Sequence, residues 1–216
     1  MQVSQARENI LKKIRKALTQ STPLPFPGSE GTSSVFKPGR QEMEIDFAEQ
    51  FSKLLGKFIY CSSGEELNEK LQDLIKHNKW EKIYYKVTEM KDILSGELDT
   101  QRVYGDLASC DAAITTCEAL VARTGSIILS SAQPSGRTTS VYAPIHLCVA
   151  YTDQLVYDVR DGLQLIKEKY KGNLPSLVTF ATGPSRTADI EKTLVVGVHG
   201  PKEVYVFLVE SAGSEQ

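Results

Sequence analysis

The sequence predicts an α/β fold of three layers, in which helices cover both faces of a mixed, mostly parallel sheet. Apolar strand-like segments alternate with amphipathic helical segments from about residue 43 onward, and the last of these strands reads VYVFLV. The length of 216 residues suits one domain of ordinary size with an appendage. The expected divisions are a helical arm at 1–20, a linker at 21–42, an α/β domain at 43–210 and a frayed tail at 211–216.

The N-terminal arm is predicted from a helical apolar stripe. A helix over 3–18 would place Val3, Ile10, Ile14 and Leu18 on one side and five basic residues on the other. The stretch 21–40 that follows is rich in proline and glycine, which excludes regular structure. The basic face is either simply solvated or docks onto an acidic partner or a second copy of the chain.

The α/β domain is divided into elements by its hydrophobic pattern and its helix caps. Glu65 and Glu66 favour a helix start after Ser63, because acidic residues stabilise the first turn. The predicted helices are 43–56, 65–78, 117–123, 160–171 and one from about residue 187. The predicted strands are 57–61, 82–87, 112–115, 126–130, 146–151, 155–159, 177–181 and 203–209.

Composition and charge exclude several classes of protein. A net charge of -2 gives no global attraction to nucleic acid or to a membrane surface. No apolar run approaches the roughly 18 residues that a membrane span requires. Charges interrupt the apolar positions at the N-terminus, so a signal peptide is not expected and we predict a cytoplasmic protein.

The cysteines predict free thiols in a reducing compartment. Cys61, Cys110, Cys117 and Cys148 form no Cys-x-x-Cys pair and have neither zinc nor ferredoxin spacing. We therefore expect no metal site and no cofactor in this chain, and no iron–sulfur cluster held by it alone.

The segment 182–191, TGPSRTADIE, is the first candidate site because it follows an apolar strand. Ligands of open α/β sheets bind at the carboxyl ends of strands, where loops lead into helices. A helix from about Thr187 would direct free N–H groups and its positive dipole end at an anion. The expected contacts of a carboxylate or phosphate are Gly183, Pro184, Ser185, Arg186 and Thr187. The alternative is a capped structural turn, with Asp189 serving only the first helical turn.

Three further segments supply neighbours for that anion. The turn 197–201 holds His199, which is either structural or a general acid or base; Asp189 is the other weak catalytic candidate. The loop 133–140 has an arginine at its centre, and 123–126 passes through a glycine turn. The candidate ligand-binding residues in these segments are Thr124, Gly125, Ser126, Arg137, His199 and Gly200.

Sequence motifs define no catalytic constellation. The nucleophile elbow Gly-x-Ser-x-Gly, the dinucleotide fingerprint Gly-x-Gly-x-x-Gly and the P-loop are all missing. Whether the chain is an enzyme therefore stays open at this stage.

The block GPSRTADIE followed by LVVGVHGP, at 183–201, resembles the C-terminal signature of the lactate utilization protein C family, which carries the LUD domain. The segment ARTGSIIL at 122–129, Arg137 and the strand PIHLCVA at 144–150 resemble the preceding block. Two positions depart from the family pattern. Arg123 stands where the family commonly has an acidic residue, and Ser126 where it has threonine.

The resemblance implies a NagB/RpiA/CoA transferase-like fold, that of glucosamine-phosphate deaminase, ribose-phosphate isomerase and the CoA transferases. It also implies a role in oxidising L-lactate to pyruvate together with partner proteins that carry iron–sulfur clusters. In that role the chain would handle substrate or support assembly. The alternative is a stand-alone enzyme or binding protein for a carboxylate, phosphosugar or CoA-type ligand.

Overall fold

The computed structural model describes residues 5–19, 41–91, 93–94, 105–187, 195–197 and 199–211. The chain divides into two units, Met1–Lys37 and Pro38–Gln216. The first contains helix α1, Gln5–Leu18, with Glu8 in its first turn and Arg15 and Lys16 in its last, the arrangement that the helix dipole favours. The predicted helix is confirmed over these residues, and Val3 lies outside the described part.

The second unit is built around a parallel sheet. Its described strands are β1 (Lys57–Cys61), β2 (Ile83–Tyr84), β3 (Ala112–Thr115), β6 (Ile145–Tyr151) and β11 (Glu203–Val209). They lie in the order β1-β11-β6-β3-β2, and each neighbouring pair is parallel. The longest register pairs Glu203 with Ile145 at one end and Val209 with Tyr151 at the other.

Helix α3, Gly64–Asn78, covers one face of this sheet. Its first turn is capped by Ser63, whose side chain accepts a hydrogen bond from the Glu66 amide. The helix buries Leu67, Leu71 and Ile75 against alternate residues of β6 and β11, among them Phe207. The short helix α4, Val87–Met90, adds its last residue to the same core.

A second sheet covers the opposite face. Its described strands are β4 (Ala119–Val121), β5 (Ser126–Ser130), β7 (Leu155–Val156) and β8 (Val178–Ala181). The order is β7-β4-β5-β8, with β4 parallel to β7 and the other pairs antiparallel. Helix α2, Met43–Lys53, inserts Phe47 and Phe51 into the core between the sheets.

Two helices and a hairpin complete the described elements. Helix α5 is the single turn Thr139–Tyr142, and helix α6, Val159–Tyr170, packs Ile166 on the outer face of the second sheet. Strands β9 (Arg186–Thr187) and β10 (Val195–Val196) pair antiparallel. No helix among the described residues is long and apolar enough to cross a membrane.

The predicted α/β class with mostly parallel strand pairing is confirmed. The helix layer expected on the opposite face of the parallel sheet is replaced by the second sheet, which holds the antiparallel pairs β4–β5 and β5–β8. The helix predicted over 117–123 is wrong, because Ala119–Val121 pairs with β5 and only a 3₁₀ turn follows at Ala122–Thr124. These residues form a short apolar run buried between layers, and such a run has no diagnostic periodicity. The strands predicted at 82–87 and 155–159 are shorter than expected, since helices begin at Val87 and Val159.

Candidate functional site

The turns on either side of the β9–β10 hairpin are held together by backbone hydrogen bonds. The Ser185 amide donates to the Pro201 carbonyl at 2.9 Å, and the Gly197 amide donates to the Ser185 carbonyl at 2.9 Å. Gly197 has a φ of 78°, and an added Cβ would lie 2.2 Å from Cγ of Lys202. The glycine turn therefore permits the stem of Lys202 to lie directly against the backbone.

A cavity of about 200 Å³ opens beside these turns, between the two sheets. We call it the inner cavity. Its floor comes from β6, β8 and β11, and the turns described above form its rim. Its lining residues are Ser140, Val141, His146, Thr179, Ala181, Gly183, Ser185, His199, Gly200, Pro201 and Val204.

His146 is the fully buried polar residue of the inner cavity. Its Nε2 lies 2.8 Å from Oγ1 of Thr115 on the neighbouring strand, whereas its Nδ1 has no hydrogen-bond partner within the described residues. Burial lowers the pKa of His146 to about 4 from its usual value of 6.5. The imidazole is therefore neutral at physiological pH, and one of its nitrogens lacks a partner.

A second pocket of about 440 Å³ adjoins the inner cavity and shares Val141, His199 and Gly200 with it. We call it the outer pocket. Its other lining residues are Tyr142, Pro144, Gly197 and Lys202. The backbone of Lys202 is fixed by a 2.7 Å hydrogen bond to the Pro144 carbonyl. Lys202 is exposed and has no ion pair in the part of the chain that the structure describes.

The electrostatic character of the outer pocket contrasts with that of a groove elsewhere on the domain. The lining of the outer pocket that the structure describes includes no carboxylate. The acidic groove, about 680 Å³, is instead lined by Glu42, Glu44, Ile45, Ala48, Glu49, Phe58, Tyr60, Thr152 and Glu210. Among the described residues, the acidic side chains therefore cluster at the acidic groove and not at the outer pocket.

A family model described as the LUD domain matches residues 45–209. The chain belongs to the LUD domain family. The resemblance found in the sequence is thereby confirmed. A lactate utilization protein C from Deinococcus radiodurans is 36% identical over 107 residues, which cover 49% of this chain and 50% of that protein. Another from Bacillus licheniformis is 31% identical, covering 62% of this chain and 54% of the relative.

The matched region thus spans about half the length of these two relatives. An uncharacterized protein from Neisseria meningitidis serogroup B is 25% identical, covering 94% of this chain and 93% of its own. A solved structure of a DUF162 family protein from Deinococcus radiodurans superposes with a TM-score of 0.61 at 22% identity. It covers 80% of this chain and 99% of that one, and it supports the fold of the LUD domain.

The LUD domain brings four of the predicted ligand residues together. Gly183, Ser185, His199 and Gly200 line the inner cavity, and the last two also line the outer pocket. Pro184 is buried beside them. Asp189, one of the weak catalytic candidates, lies outside the described residues.

The expected geometry around Thr187 is wrong in two respects. Arg186–Thr187 is a strand, not the start of a helix, and residues 188–194, over which the predicted helix would continue, lie outside the described part. The strand before the loop, β8, belongs to the second sheet and runs antiparallel to β5. The inner cavity includes His146 and Val204, near the amino ends of β6 and β11 in the parallel sheet. The carboxyl edge of that sheet is therefore not where these loops lie.

The predicted arginines contact other parts of the LUD domain. Arg186 donates to the Leu54 carbonyl at the end of α2, and Arg137 donates to the Ser176 hydroxyl. Neither residue lines the inner cavity or the outer pocket. Arg123, the departure from the family pattern, pairs with Asp158 at 2.6 Å. The amide of Arg160 and the guanidinium of Arg123 lower the pKa of Asp158, which caps α6.

Thr124 and Ser126 form a hydroxyl cluster with Thr182, and Gly125 between them lies against α2. Ser126 Oγ lies 2.8 Å from Thr124 Oγ1 and 2.9 Å from Thr182 Oγ1. Gly125 has a φ of 60°, and an added Cβ would lie 2.5 Å from the Phe51 amide nitrogen. These residues therefore pack the second sheet against α2 and do not line the cavity.

Sequence reasoning missed the buried acid Glu118. Its Oε1 accepts hydrogen bonds from Ser130 at 2.5 Å and Tyr170 at 2.6 Å, and its Oε2 lies 2.7 Å from Lys169 Nζ. Burial alone would raise the pKa of Glu118, but the bonds from Lys169, Ser130 and Tyr170 outweigh it and the pKa lies below its usual value. A lone acid within the apolar run CEALVA was the available signal. Within the described residues, no group of three or more metal-ligand side chains occurs.

Proposed function

We propose that this chain acts in L-lactate utilization by binding a short carboxylate in the outer pocket. One observation carries the proposal: the pocket presents Lys202 and His199, without a carboxylate among its described lining. Two relatives, which match 49% and 62% of this chain, are named lactate utilization protein C. A pocket that attracts an anion is what a lactate-handling subunit requires.

Lys202 is the principal cation of this proposal. A 2-hydroxy acid is fully ionised at neutral pH, so an exposed ammonium attracts it and donates charge-assisted hydrogen bonds. His199 adds a ring nitrogen to the lining of the same pocket. Both residues lie on the short segment 197–202, which is fixed by the hydrogen bonds of Ser185 to Gly197 and Pro201 and of Lys202 to Pro144. The pocket is thus organised before a ligand arrives.

The proposal extends to partners and location. The chain works in the cytoplasm beside iron–sulfur proteins of a lactate-oxidising system, and electrons pass to clusters that those partners hold. This chain handles substrate or supports assembly, and no cofactor is assigned to it. Purification from the native cell tests this part directly. Co-purifying iron–sulfur proteins support the assignment, whereas a lone chain that turns over a sugar phosphate supports a stand-alone enzyme.

The binding site itself is tested by calorimetry with L-lactate on the purified chain. Lys202→Ala should weaken binding by about 10-fold or more, the usual range for a lost hydrogen bond to a charged group. Lys167→Ala removes an equally exposed lysine from α6 and serves as the matched control. Arg186→Ala should leave the affinity within about twofold, because Arg186 contacts Leu54 outside the pocket. From the sequence alone, Arg186 is predicted to contact the anion, and Arg186→Ala is predicted to weaken anion binding by roughly 10- to 150-fold. If Arg186→Ala lost affinity for L-lactate and Lys202→Ala did not, the binding site would lie at Arg186 and not in the outer pocket.

A further inference from the structure

The inner cavity has a feature that anion binding in the outer pocket does not use. His146 is fully buried, lines the cavity and has an Nδ1 without a hydrogen-bond partner in the described ranges. Buried polar atoms in folded proteins are almost always paired, and an unpaired one is a sign of a missing ligand or a functional role. No acidic residue among the described lining could share a proton with it.

Thr115 orients the imidazole. The contact between His146 Nε2 and Thr115 Oγ1, 2.8 Å long, fixes the ring and leaves Nδ1 as the open position. The β-branched Thr115 is itself fully buried on β3, so the ring is held from the sheet side. In one tautomer Nδ1 donates to a hydroxyl or carbonyl oxygen, and in the other it accepts a hydrogen bond from a hydroxyl or amide group.

The remaining lining sets the size and polarity of a guest. Ser140, Thr179 and Ser185 contribute hydroxyls, and Val141, Ala181 and Val204 contribute apolar surface. A cavity of about 200 Å³ is smaller than the usual 300–1,000 Å³ of pockets for drug-sized ligands. It admits a fragment of a few atoms that carries both a polar group and a methyl group.

We propose that the inner cavity is a subsite for the neutral oxygen substituent of a short 2-hydroxy or 2-oxo acid, and that His146 is the residue that selects for this oxygen. The inference rests on the proposed function, in which the ligand's carboxylate lies in the outer pocket against Lys202. The two compartments share Val141, His199 and Gly200 and are therefore adjacent, and in this assignment one small molecule extends across both. A site that hydrogen-bonds a hydroxyl discriminates strongly against the analogue without it, because its own polar group is then unpaired.

The test compares L-lactate with propionate, which has the same carbon chain and carboxylate but no hydroxyl. The wild-type chain should bind L-lactate at least about 10-fold more tightly than propionate, a difference of 1.4 kcal/mol or more in binding free energy. His146→Gln places an amide where Nε2 was and keeps the Thr115 contact, but it removes Nδ1. This variant should lose the discrimination. His146→Asn places an amide near the Nδ1 position and should retain most of it.

Ring ¹⁵N chemical shifts of His146 in the wild-type chain give a readout that needs no variant. L-lactate should shift the Nδ1 resonance, and propionate should leave it unchanged. If both acids bind equally and the resonance does not move, the subsite assignment is overturned while the carboxylate site stands. If neither acid binds, both proposals fall.

Discussion

Lys169 and Glu118 form an ion pair in which Nζ lies 2.7 Å from Oε2, with the carboxylate fully buried and the ammonium about half exposed. The pair joins the last turn of α6 to the residue that precedes β4. The Lys169 side chain keeps about half of its surface in solvent, while the buried carboxylate depends on its hydrogen-bond partners for solvation. Helix α6 is therefore held on the outer face of the second sheet by this ion pair as well as by the apolar packing of Ile166.

Removing the cation from this pair should destabilise the fold. Lys169→Ala leaves Glu118 buried with only Ser130 and Tyr170 as donors, and we expect a loss of about 1–3 kcal/mol. Lys167→Ala, two residues away and exposed, should change the free energy of unfolding by less than about 0.5 kcal/mol. Urea denaturation of both variants measures the difference. Equal stability of the two would show that Glu118 does not need its cation.

His146 should make stability fall as the solution is acidified. Its pKa is about 4 in the folded chain and 6.5 in the unfolded chain, so the unfolded state binds the proton first. Stability is retained above pH 6.5 and declines between pH 6.5 and 4, by about 3 kcal/mol at 1.36 kcal/mol per unit. Denaturant midpoints measured across this range test the effect.

Two variants test whether His146 causes the fall in stability between pH 6.5 and 4. His146→Gln should flatten the profile between pH 6.5 and 4, whereas His199→Gln, which changes the other cavity histidine, should retain it. The carboxyls Glu118 and Asp158 have lowered pKa values, so their contributions are lost only at lower pH. A profile that stays steep in His146→Gln would contradict the assignment.

Replacing a glycine by alanine can cost stability through backbone strain and through a steric clash, and Gly125 and Gly136 distinguish these two effects. Both have positive φ, 60° and 67°, but an added Cβ would strike the α2 backbone at Gly125 and meet nothing within 4 Å at Gly136. Gly136→Ala should therefore destabilise the fold by about 1–2 kcal/mol, through the left-handed conformation alone. Gly125→Ala should exceed it clearly, because the 3₁₀ turn or α2 must shift. Thermal unfolding of both variants measures which one loses more stability. Equal losses would contradict a steric clash at Gly125.

The N-terminal arm provides the fourth prediction. Helix α1 has an apolar stripe that includes Ile10, Leu11 and Ile14, and a helix of its length is marginal without packing. Deleting residues 1–20 should weaken self-association or partner binding while leaving the melting temperature of the α/β domain nearly unchanged. Sedimentation velocity and calorimetry of the truncated chain measure both quantities. A large drop in melting temperature would mean that the arm stabilises its own domain.

The hydrophobic pattern was sufficient for the long elements. Strand Glu203–Val209 and helix Gly64–Asn78 were predicted within one residue, because each has a run of apolar positions or a cap that admits one conformation. Ala119–Val121 was assigned to a helix because three apolar residues fit either period. Its antiparallel pairing with β5 is a long-range property that local sequence does not contain.

The candidate site was predictable only where glycine and small residues crowd together. This crowding predicts a site for four of the residues that line the inner cavity, namely Gly183, Ser185, His199 and Gly200. No local pattern points to His146, because it stands within the apolar strand IHLCVAY and its cavity is completed by a second sheet distant in sequence. Arginines were assigned to the ligand by their charge, but Arg137 and Arg186 have protein partners that only the folded chain reveals.

The position of β11 governs the order in which the parallel sheet can assemble. The strand that comes last among those described lies between β1 and β6, which do not pair with each other. During synthesis, β1 has no neighbour in this sheet until residues 203–209 have left the ribosome tunnel. Nascent chains shorter than this expose the edges of two strands, and such edges invite pairing with other chains. The domain therefore matures after translation of this segment, and its folding is expected to be slow because the β1–β11 pairing spans about 150 residues.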